Sequence, residues 1–69
     1  MLVEVGAFYC FVEDKDFIIR VIKCSDNWVG YIRVGESVVV ERGCGDIAFL
    51  RTFRKLSRIE SALAGVHNG

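Results

Sequence analysis

Histidine is almost absent from this sequence of 69 residues, and cysteine is sparse. The one histidine, His67, lies within the last three residues. The three cysteines, Cys10, Cys24 and Cys44, are far apart, and none of them forms a pair at the short spacing of zinc ligands. Cys10 and Cys24 lie in apolar runs, where a free thiol behaves as a small hydrophobic residue. We therefore expect no metal, no cofactor and no disulfide framework.

Long apolar runs are also absent. No run approaches the roughly 18–20 apolar residues that a membrane-spanning helix requires. Glu4 places a carboxylate where a secretory signal peptide would be apolar. Because free thiols are typical of reducing compartments, we expect a cytoplasmic protein without membrane association.

Motifs for catalysis are missing as well. The stretch Gly43-Cys44-Gly45 has two glycines of a nucleotide-binding loop but lacks the third glycine and the Lys-Ser/Thr pair of a P-loop. We interpret it as a tight turn with an exposed Cys44 that no neighbouring histidine activates. The acidic residues at 13–16 are interpreted as a hairpin tip. We predict no enzymatic activity and no small-molecule substrate, although an active site completed at an oligomer interface stays open.

The residues that are present predict strands over the first forty positions. Val, Ile, Phe and Tyr dominate runs that are separated by charged, Asx or glycine turns. Connections this short indicate antiparallel neighbours in a meander. The predicted strands are 2–12, 17–24, 28–34 and 37–42.

The stretch at 47–53 is ambiguous. Strand alternation would place Ile47, Phe49 and Phe53 on one face, with Arg51 as an exception. A long helix would align Phe49 and Phe53 with later leucines, but Glu60 would fall on the same stripe. We favour a fifth strand here and keep the long helix as the alternative.

A short C-terminal helix carries its own start and stop signals. Ser57 and Glu60 have the spacing of a capping box, and Gly65 stands where a left-handed residue ends a helix. The pattern predicts a helix at 58–64. We expect it to pack on the sheet through Ile59, Leu63 and Val66. The chain at 1–69 is therefore interpreted as one α+β domain, with an antiparallel sheet of four or five strands and one C-terminal helix.

Apolar residues occupy both faces of the first two predicted strands, and hydrophobic residues make up 52% of the chain. One short helix covers only one face of such a sheet, and a large uncovered apolar face marks an interaction site. We predict a homodimer or a complex with a host protein, formed through the uncovered face or by pairing of an edge strand. The alternative is a strongly twisted sheet that curls over its own residues. The interface candidates are Phe8, Ile18, Ile22, Trp28 and Tyr31.

Charge is unevenly distributed, although the net charge is zero. Residues 1–41 contain seven acidic side chains against four basic ones, whereas residues 42–58 contain five basic side chains against one acidic. Four of these bases form a basic cluster at the junction with the C-terminal helix. Clustered Arg and Lys bind phosphates, so nucleic-acid binding is the alternative function; the other interpretation is a solvated face. The basic cluster consists of Arg51, Arg54, Lys55 and Arg58.

The segment at 50–63 reads Leu-Arg-Thr-Phe-Arg-Lys-Leu-Ser-Arg-Ile-Glu-Ser-Ala-Leu. It resembles small accessory proteins of phages, plasmids and integrated elements, in which a strand ending in Arg-x-Phe precedes a short helix that begins after Leu-Ser or Leu-Asp. The stretch at 58–62 is similar to part of an anti-CRISPR protein, which is itself a small sheet-plus-helix domain. The resemblance implies a mobile-element protein that acts by binding, as an inhibitor or regulator. It transfers no functional residues.

Overall fold

The computed structural model describes residues 3–65 and shows a five-stranded antiparallel sheet with two short helices. The sheet and its antiparallel pairing agree with the prediction, but there are two helices where one was predicted. The strands are β1 (Phe8–Phe11), β2 (Asp14–Ser25), β3 (Trp28–Arg33), β4 (Arg42–Gly45) and β5 (Phe53–Lys55); the helices are α1 (Asp46–Thr52) and α2 (Arg58–Leu63).

The strand order is β4-β3-β2-β1-β5. The first four strands form the predicted meander, and β5 returns to pair with β1. The prediction of a first strand at 2–12 was too long, because Gly6 has a φ of 86° and interrupts the extended chain before β1. The predicted turn at 13–16 was also wrong. The hairpin turns at Val12 and Glu13, and Asp14 already pairs with Phe11.

The fourth strand lies later than predicted. The pattern Val38-Val39-Val40 favoured a strand at 37–42, yet the three valines are exposed and lie outside any strand. The ladder with β3 instead begins at Arg42 and continues through Gly43-Cys44-Gly45, which was predicted to be a turn. Intrinsic strand propensity was outweighed by the cross-strand contacts of the actual register.

Both interpretations of 47–53 were wrong in part. The chain forms the single helix α1 and then, at Phe53, enters β5. Phe53 is the C-cap of α1, with φ −123° and ψ 149°, and its amide bonds to the Phe49 carbonyl. The helix is only two turns long because the next residues gain a ladder of hydrogen bonds with β1.

The sheet curls around Phe49. A seven-residue helix is about 10 Å long, whereas the outer strands of a flat five-stranded sheet lie roughly 19 Å apart. Since α1 runs directly from the edge strand β4 to the edge strand β5, the sheet must bend to bring these edges together. The alternative of a sheet that curls over its own residues therefore describes this chain. The core on this inner face consists of Val3, Ala7, Tyr9, Ile19, Val21, Val29, Phe49 and Phe53.

The second face, which we call the outer face, has a smaller core. Phe8, Cys10 and Leu56 are buried there, and Ile18 packs against them. The capping box of α2 is present as predicted, with Ser57 and Glu60 bonding to each other's backbone amides.

The expected packing of α2 is wrong for two of its three residues. Ile59 is 73% exposed and Leu63 83% exposed, whereas Ser61 is the residue that α2 buries. Val66 lies outside the described residues. The chain enters α2 with Leu56 already buried beside Phe8, and this fixes the helix with Ser61 toward the sheet.

Candidate binding cleft

An open cleft of about 240 Å³ lies on the inner face, beside α1. Its walls are mainly aromatic, and two arginines stand among its lining residues. Strands β1 to β5 and helix α1 all contribute to it. We call it the aromatic cleft; it is lined by Phe11, Phe17, Tyr31, Arg33, Arg42, Cys44, Ala48, Thr52 and Phe53.

The aromatic rings of the cleft are in mutual contact. The Phe11 ring lies 5.8 Å from the rings of both Phe17 and Phe53, measured between centroids. The Tyr31 ring lies 5.2 Å from that of Phe53 and meets it edge-to-face. Such edge-to-face pairs are favourable beyond the area they bury. The walls are therefore held in place by one another and by the core beneath them.

Register explains why these residues meet. Phe11 pairs with Phe53 across β1 and β5, and Tyr31 pairs with Arg42 across β3 and β4. Alternate residues of a strand share a face, so Arg33 lies on the same side as Tyr31. The fold thus places aromatic and cationic side chains from all five strands on one concave surface.

Two guanidinium groups give the cleft positive charge. The Arg33 guanidinium lies over the Phe17 ring at 4.2 Å from its centroid, which is a cation–π contact. Arg42 lies 3.6 Å from a carboxylate oxygen of Glu36. This distance exceeds that of a hydrogen bond, so Arg42 keeps donors available for another group.

The other polar groups of the cleft are neutral near pH 7. Burial raises the pKa of the Cys44 thiol above its ordinary value. Burial also raises the pKa of the Tyr31 hydroxyl, with a smaller contribution from Cys44. Cys44 is half-buried in β4, so the expected exposed turn thiol is not found. What the cleft offers chemically is aromatic surface, the positive charge of Arg33, and the guanidinium of Arg42 in a loose ion pair with Glu36.

The basic cluster predicted from the sequence is divided by the fold. Arg54 pairs with Cys10 on the outer face, while Lys55 pairs with Tyr9 on the inner face. Arg54 donates two hydrogen bonds to Glu60, of 2.9 and 2.7 Å, and the Lys55 ammonium lies 2.7 Å from a Glu4 oxygen. Arg51 and Arg58 are exposed. Two of the four charges are therefore already neutralised.

The hydrogen bonds within these pairs shift pKa values in the expected directions. The bonds from Arg54, with that from the Ser57 amide, lower the pKa of Glu60 to about 2. The pKa of Arg54 is raised mainly by its bond to Glu60, and that of Lys55 by its bond to Glu4. Arg54 and Lys55 are therefore each ion-paired with a carboxylate of the same chain.

The apolar interface candidates lie on different surfaces. Phe8 is buried in the outer core, with Ile18 packed beside it. Tyr31 is half-buried and belongs to the aromatic cleft on the opposite face. Ile22 lies at a bulge of β2 and is exposed, as is Trp28. The structure therefore does not combine these five residues into one patch.

Sequence reasoning missed most of the cleft. Phe11, Phe17, Arg33 and Phe53 were treated as ordinary strand residues. The two-residue spacing of Tyr31 and Arg33 on one predicted strand was a usable signal, since alternate residues share a face. Arg42 could not have been found in this way, because its pairing with Tyr31 depends on a fourth strand that was misplaced.

A second hollow, of about 270 Å³, lies on the outer face between the start of β2 and α2. Its lining mixes charges of both signs with aliphatic side chains that range from the buried Leu56 to the exposed Leu63. It is lined by Lys15, Asp16, Ile18, Leu56, Glu60, Leu63 and Ala64. Nothing in this set selects a ligand of one chemistry, so we treat the aromatic cleft as the candidate site.

Over residues 3–65, no group of three or more His, Cys, Asp or Glu side chains is placed to hold a metal ion. In the same part of the chain, no helix is long and apolar enough to cross a membrane. Comparison of the chain with protein-family models, curated proteins and solved structures gave no match.

Proposed function

We propose that this chain is a protein–protein interaction module and that the aromatic cleft is its recognition site. The observation that carries this proposal is the concave wall of four contacting aromatic rings with two arginines beside it. Tyr and Arg are enriched among the residues that contribute most binding energy at protein interfaces, and aromatic residues including Phe are enriched in interface cores.

The size of the cleft supports a side chain as its occupant. Pockets for drug-sized ligands usually measure about 300–1,000 Å³. The aromatic cleft is smaller, at about 240 Å³, and is open at its mouth. One large apolar side chain of a partner, inserted from the surface, fits these dimensions.

The charge of the cleft supports an acidic neighbourhood around that side chain. Arg33 is exposed and lies over the Phe17 ring, and it makes no ion pair with any carboxylate of the described residues. A guanidinium recognises carboxylates in bidentate geometry. We therefore propose a partner segment that carries an aromatic or large aliphatic residue next to Asp or Glu.

Nucleic-acid binding through the basic cluster has less support in this fold. Arg54 and Lys55 are paired with carboxylates and lie on opposite faces of the sheet. A role as an inhibitor or regulator encoded by a mobile element, and a cytoplasmic location, stay predictions.

Selection from a random peptide library against the immobilised chain tests the proposal. We expect enriched peptides to combine an aromatic or large aliphatic residue with nearby carboxylates. Ala48→Phe fills the cleft from the exposed side of α1 without removing any core atom, and it should lower peptide affinity at least tenfold. Arg33→Glu should reverse the preference for acidic peptides.

Ala62→Phe is the matched control, because Ala62 is an exposed helical alanine of α2 that does not line the cleft. It should bind the selected peptides like the original chain. Peptides that bind Ala48→Phe equally well would contradict the cleft as the site. Preferential binding of single-stranded oligonucleotides, with affinity that falls steeply with salt, would favour the nucleic-acid alternative.

A further inference from the structure

The segment 37–41, which we call the valine segment, has an extended-strand composition but no strand partner. It reads Ser-Val-Val-Val-Glu and leads directly into the edge strand β4. The ladder between β3 and β4 ends at the pair Tyr31–Arg42. Between Gly35 and Glu41, no backbone hydrogen bond is formed with any other described residue.

The three valines of the valine segment are exposed, whereas its last residue, Glu41, is ion-paired with Lys23 of β2. Val38 is 69% exposed, Val39 67% and Val40 44%. An unpaired edge with β-branched side chains is a template for pairing with another strand. Proteins usually protect such an edge with a charged residue, a proline or a covering element. Positions 38–40 contain neither a charged residue nor a proline, and no helix or strand among residues 3–65 covers the three valines.

The sequence around Val39 is complementary to itself in the antiparallel direction. When two copies pair about Val39, Val38 faces Val40 of the other copy and Glu36 faces Arg42 of the other copy. Opposite charges across a strand pair are favourable, and so are facing β-branched residues. Both ion pairs form at once, because the two-fold axis repeats each contact.

We propose that two copies of this chain form a dimer by antiparallel pairing of their valine segments about Val39. The sheet of one copy then continues into the sheet of the other copy through the two β4 edges. This is β-strand addition in which a second copy of the same chain supplies the added strand. The pairing supplies the missing hydrogen bonds of the segment and covers its valines.

Pairing requires the segment to straighten, because it bends at Ser37 and Val38 and Glu36 contacts Arg42 of the same chain. This contact within one chain is weak. Its atoms are 3.6 Å apart, and the other carboxylate oxygen of Glu36 has no hydrogen-bond partner among the described residues. Exchanging this contact for one between copies therefore sacrifices no hydrogen bond.

Charge reversal distinguishes contacts between copies from contacts within one copy. Alone, Glu36→Arg places two arginines against each other in the dimer, and Arg42→Glu alone places two glutamates against each other. We expect each variant to be monomeric in sedimentation velocity over a concentration series in which the original chain dimerises. An equimolar mixture of the two variants should dimerise again, because both contacts between the copies then join one arginine with one glutamate.

The matched control uses an ion pair of the same kind away from the edge. Lys55→Glu and Glu4→Lys reverse the charges of an exposed pair within one chain. Each variant should dimerise like the original chain, and mixing them should change nothing. Val39→Lys places two ammonium groups on the dyad and should abolish the dimer while leaving every residue of the aromatic cleft in place.

A chain that stays monomeric at all concentrations would overturn the proposal. A dimer that survives both charge reversals and Val39→Lys would also overturn it, since association would then use another surface. Circular dichroism of each variant checks that the exposed substitutions leave the fold intact. Peptide binding by Val39→Lys is measured separately. A monomeric Val39→Lys that still binds the selected peptides shows that the aromatic cleft works without the dimer, so that the two proposals fail independently.

Discussion

At the scale of single residues, the outer face shows why a glycine can matter in a strand. Trp28 on β3 is half exposed, and its indole lies across Gly43 of β4. A Cβ atom at Gly43 would lie 2.5 Å from the indole Nε1 atom. Gly43, which the sequence indicated as a turn residue, instead leaves room for the ring of Trp28.

Gly43→Ala should therefore displace the indole. Trp28 is the only tryptophan, so its fluorescence reports on this position directly. We expect emission to move to longer wavelength as the ring turns toward water. Stability should fall by no more than about 1 kcal/mol, since a half-exposed side chain can move aside.

Gly45→Ala is the control for this substitution, because a Cβ atom there meets its nearest neighbour at an ordinary 3.7 Å. Its tryptophan emission should match that of the original chain. An unchanged emission maximum in Gly43→Ala would mean that the indole does not rest on Gly43 in solution.

At the scale of elements, α2 is held by its first turn. Ser57 accepts a hydrogen bond from the Glu60 amide, and Glu60 accepts one from the Ser57 amide. Glu60 also accepts both bonds from Arg54, which joins the helix to β5. A helix of six residues with exposed Ile59 and Leu63 has few other contacts, so we infer that these polar bonds and Leu56 fix its position.

Ser57→Ala should lower the stability of the chain by about 1 kcal/mol, because it removes the cap. For a domain of this size, this corresponds to a fall in Tm of roughly 4–8 °C. Thermal unfolding at neutral pH measures the change. Ser25→Ala, at the exposed end of β2 where there is no helix to cap, should leave the Tm unchanged, and an equal fall there would argue against the capping account.

The contribution of Glu60 depends on pH in a defined window. Its pKa of about 2 in the folded chain lies below the ordinary value of about 4.3 for a glutamate. The ionised form is therefore favoured by folding, so its stabilising effect is complete above the ordinary value and is lost as the pH falls toward 2.

Glu60→Gln tests this window. We expect the Tm difference from the original chain to be greatest at neutral pH and to shrink steadily below about pH 4.5, in the window set by these pKa values. Glu13→Gln at the first hairpin is the control, because Glu13 makes no ion pair in the described part of the chain. A Tm difference for Glu60→Gln that is independent of pH would contradict the assigned role of the Arg54–Glu60 pair.

At the scale of the whole molecule, one side chain closes the curled sheet. Phe49 is completely buried. Its ring lies 5.0 Å from that of Tyr9, 5.8 Å from that of Tyr31 and 4.9 Å from that of Phe53. These contacts connect α1 with β1, β3 and β5. A chain of this length has a thin stability margin, so the loss of such a residue affects the entire fold.

Phe49→Ala should cost about 3–5 kcal/mol and leave the chain largely unfolded at room temperature. Far-UV circular dichroism and the dispersion of amide NMR signals measure the loss. Ile47→Ala, in the same helix but exposed, is the control and should keep the fold. If Phe49→Ala unfolds cooperatively with a Tm within a few degrees of the Tm of the original chain, Phe49 does not hold the curled sheet together.

The sequence alone determined the features that depend on neighbouring residues. Turn residues and runs rich in Val, Ile, Phe and Tyr predicted the meander of four strands, although its bounds were inexact. The capping box predicted α2, because Ser57 and Glu60 recognise backbone amides only three residues away.

Only the tertiary structure decided where strand pairing begins and what the helices cover. The three valines at 38–40 have higher strand propensity than Gly43-Cys44-Gly45, yet the latter form β4 because they pair with β3 across the sheet. The stretch at 47–53 becomes a helix and then a strand because Phe49 reaches the core and Phe53 pairs with β1. The aromatic cleft follows from the same long-range register. Contacts between distant residues are not encoded in local spacing, and so this site could not be predicted before the strands were aligned.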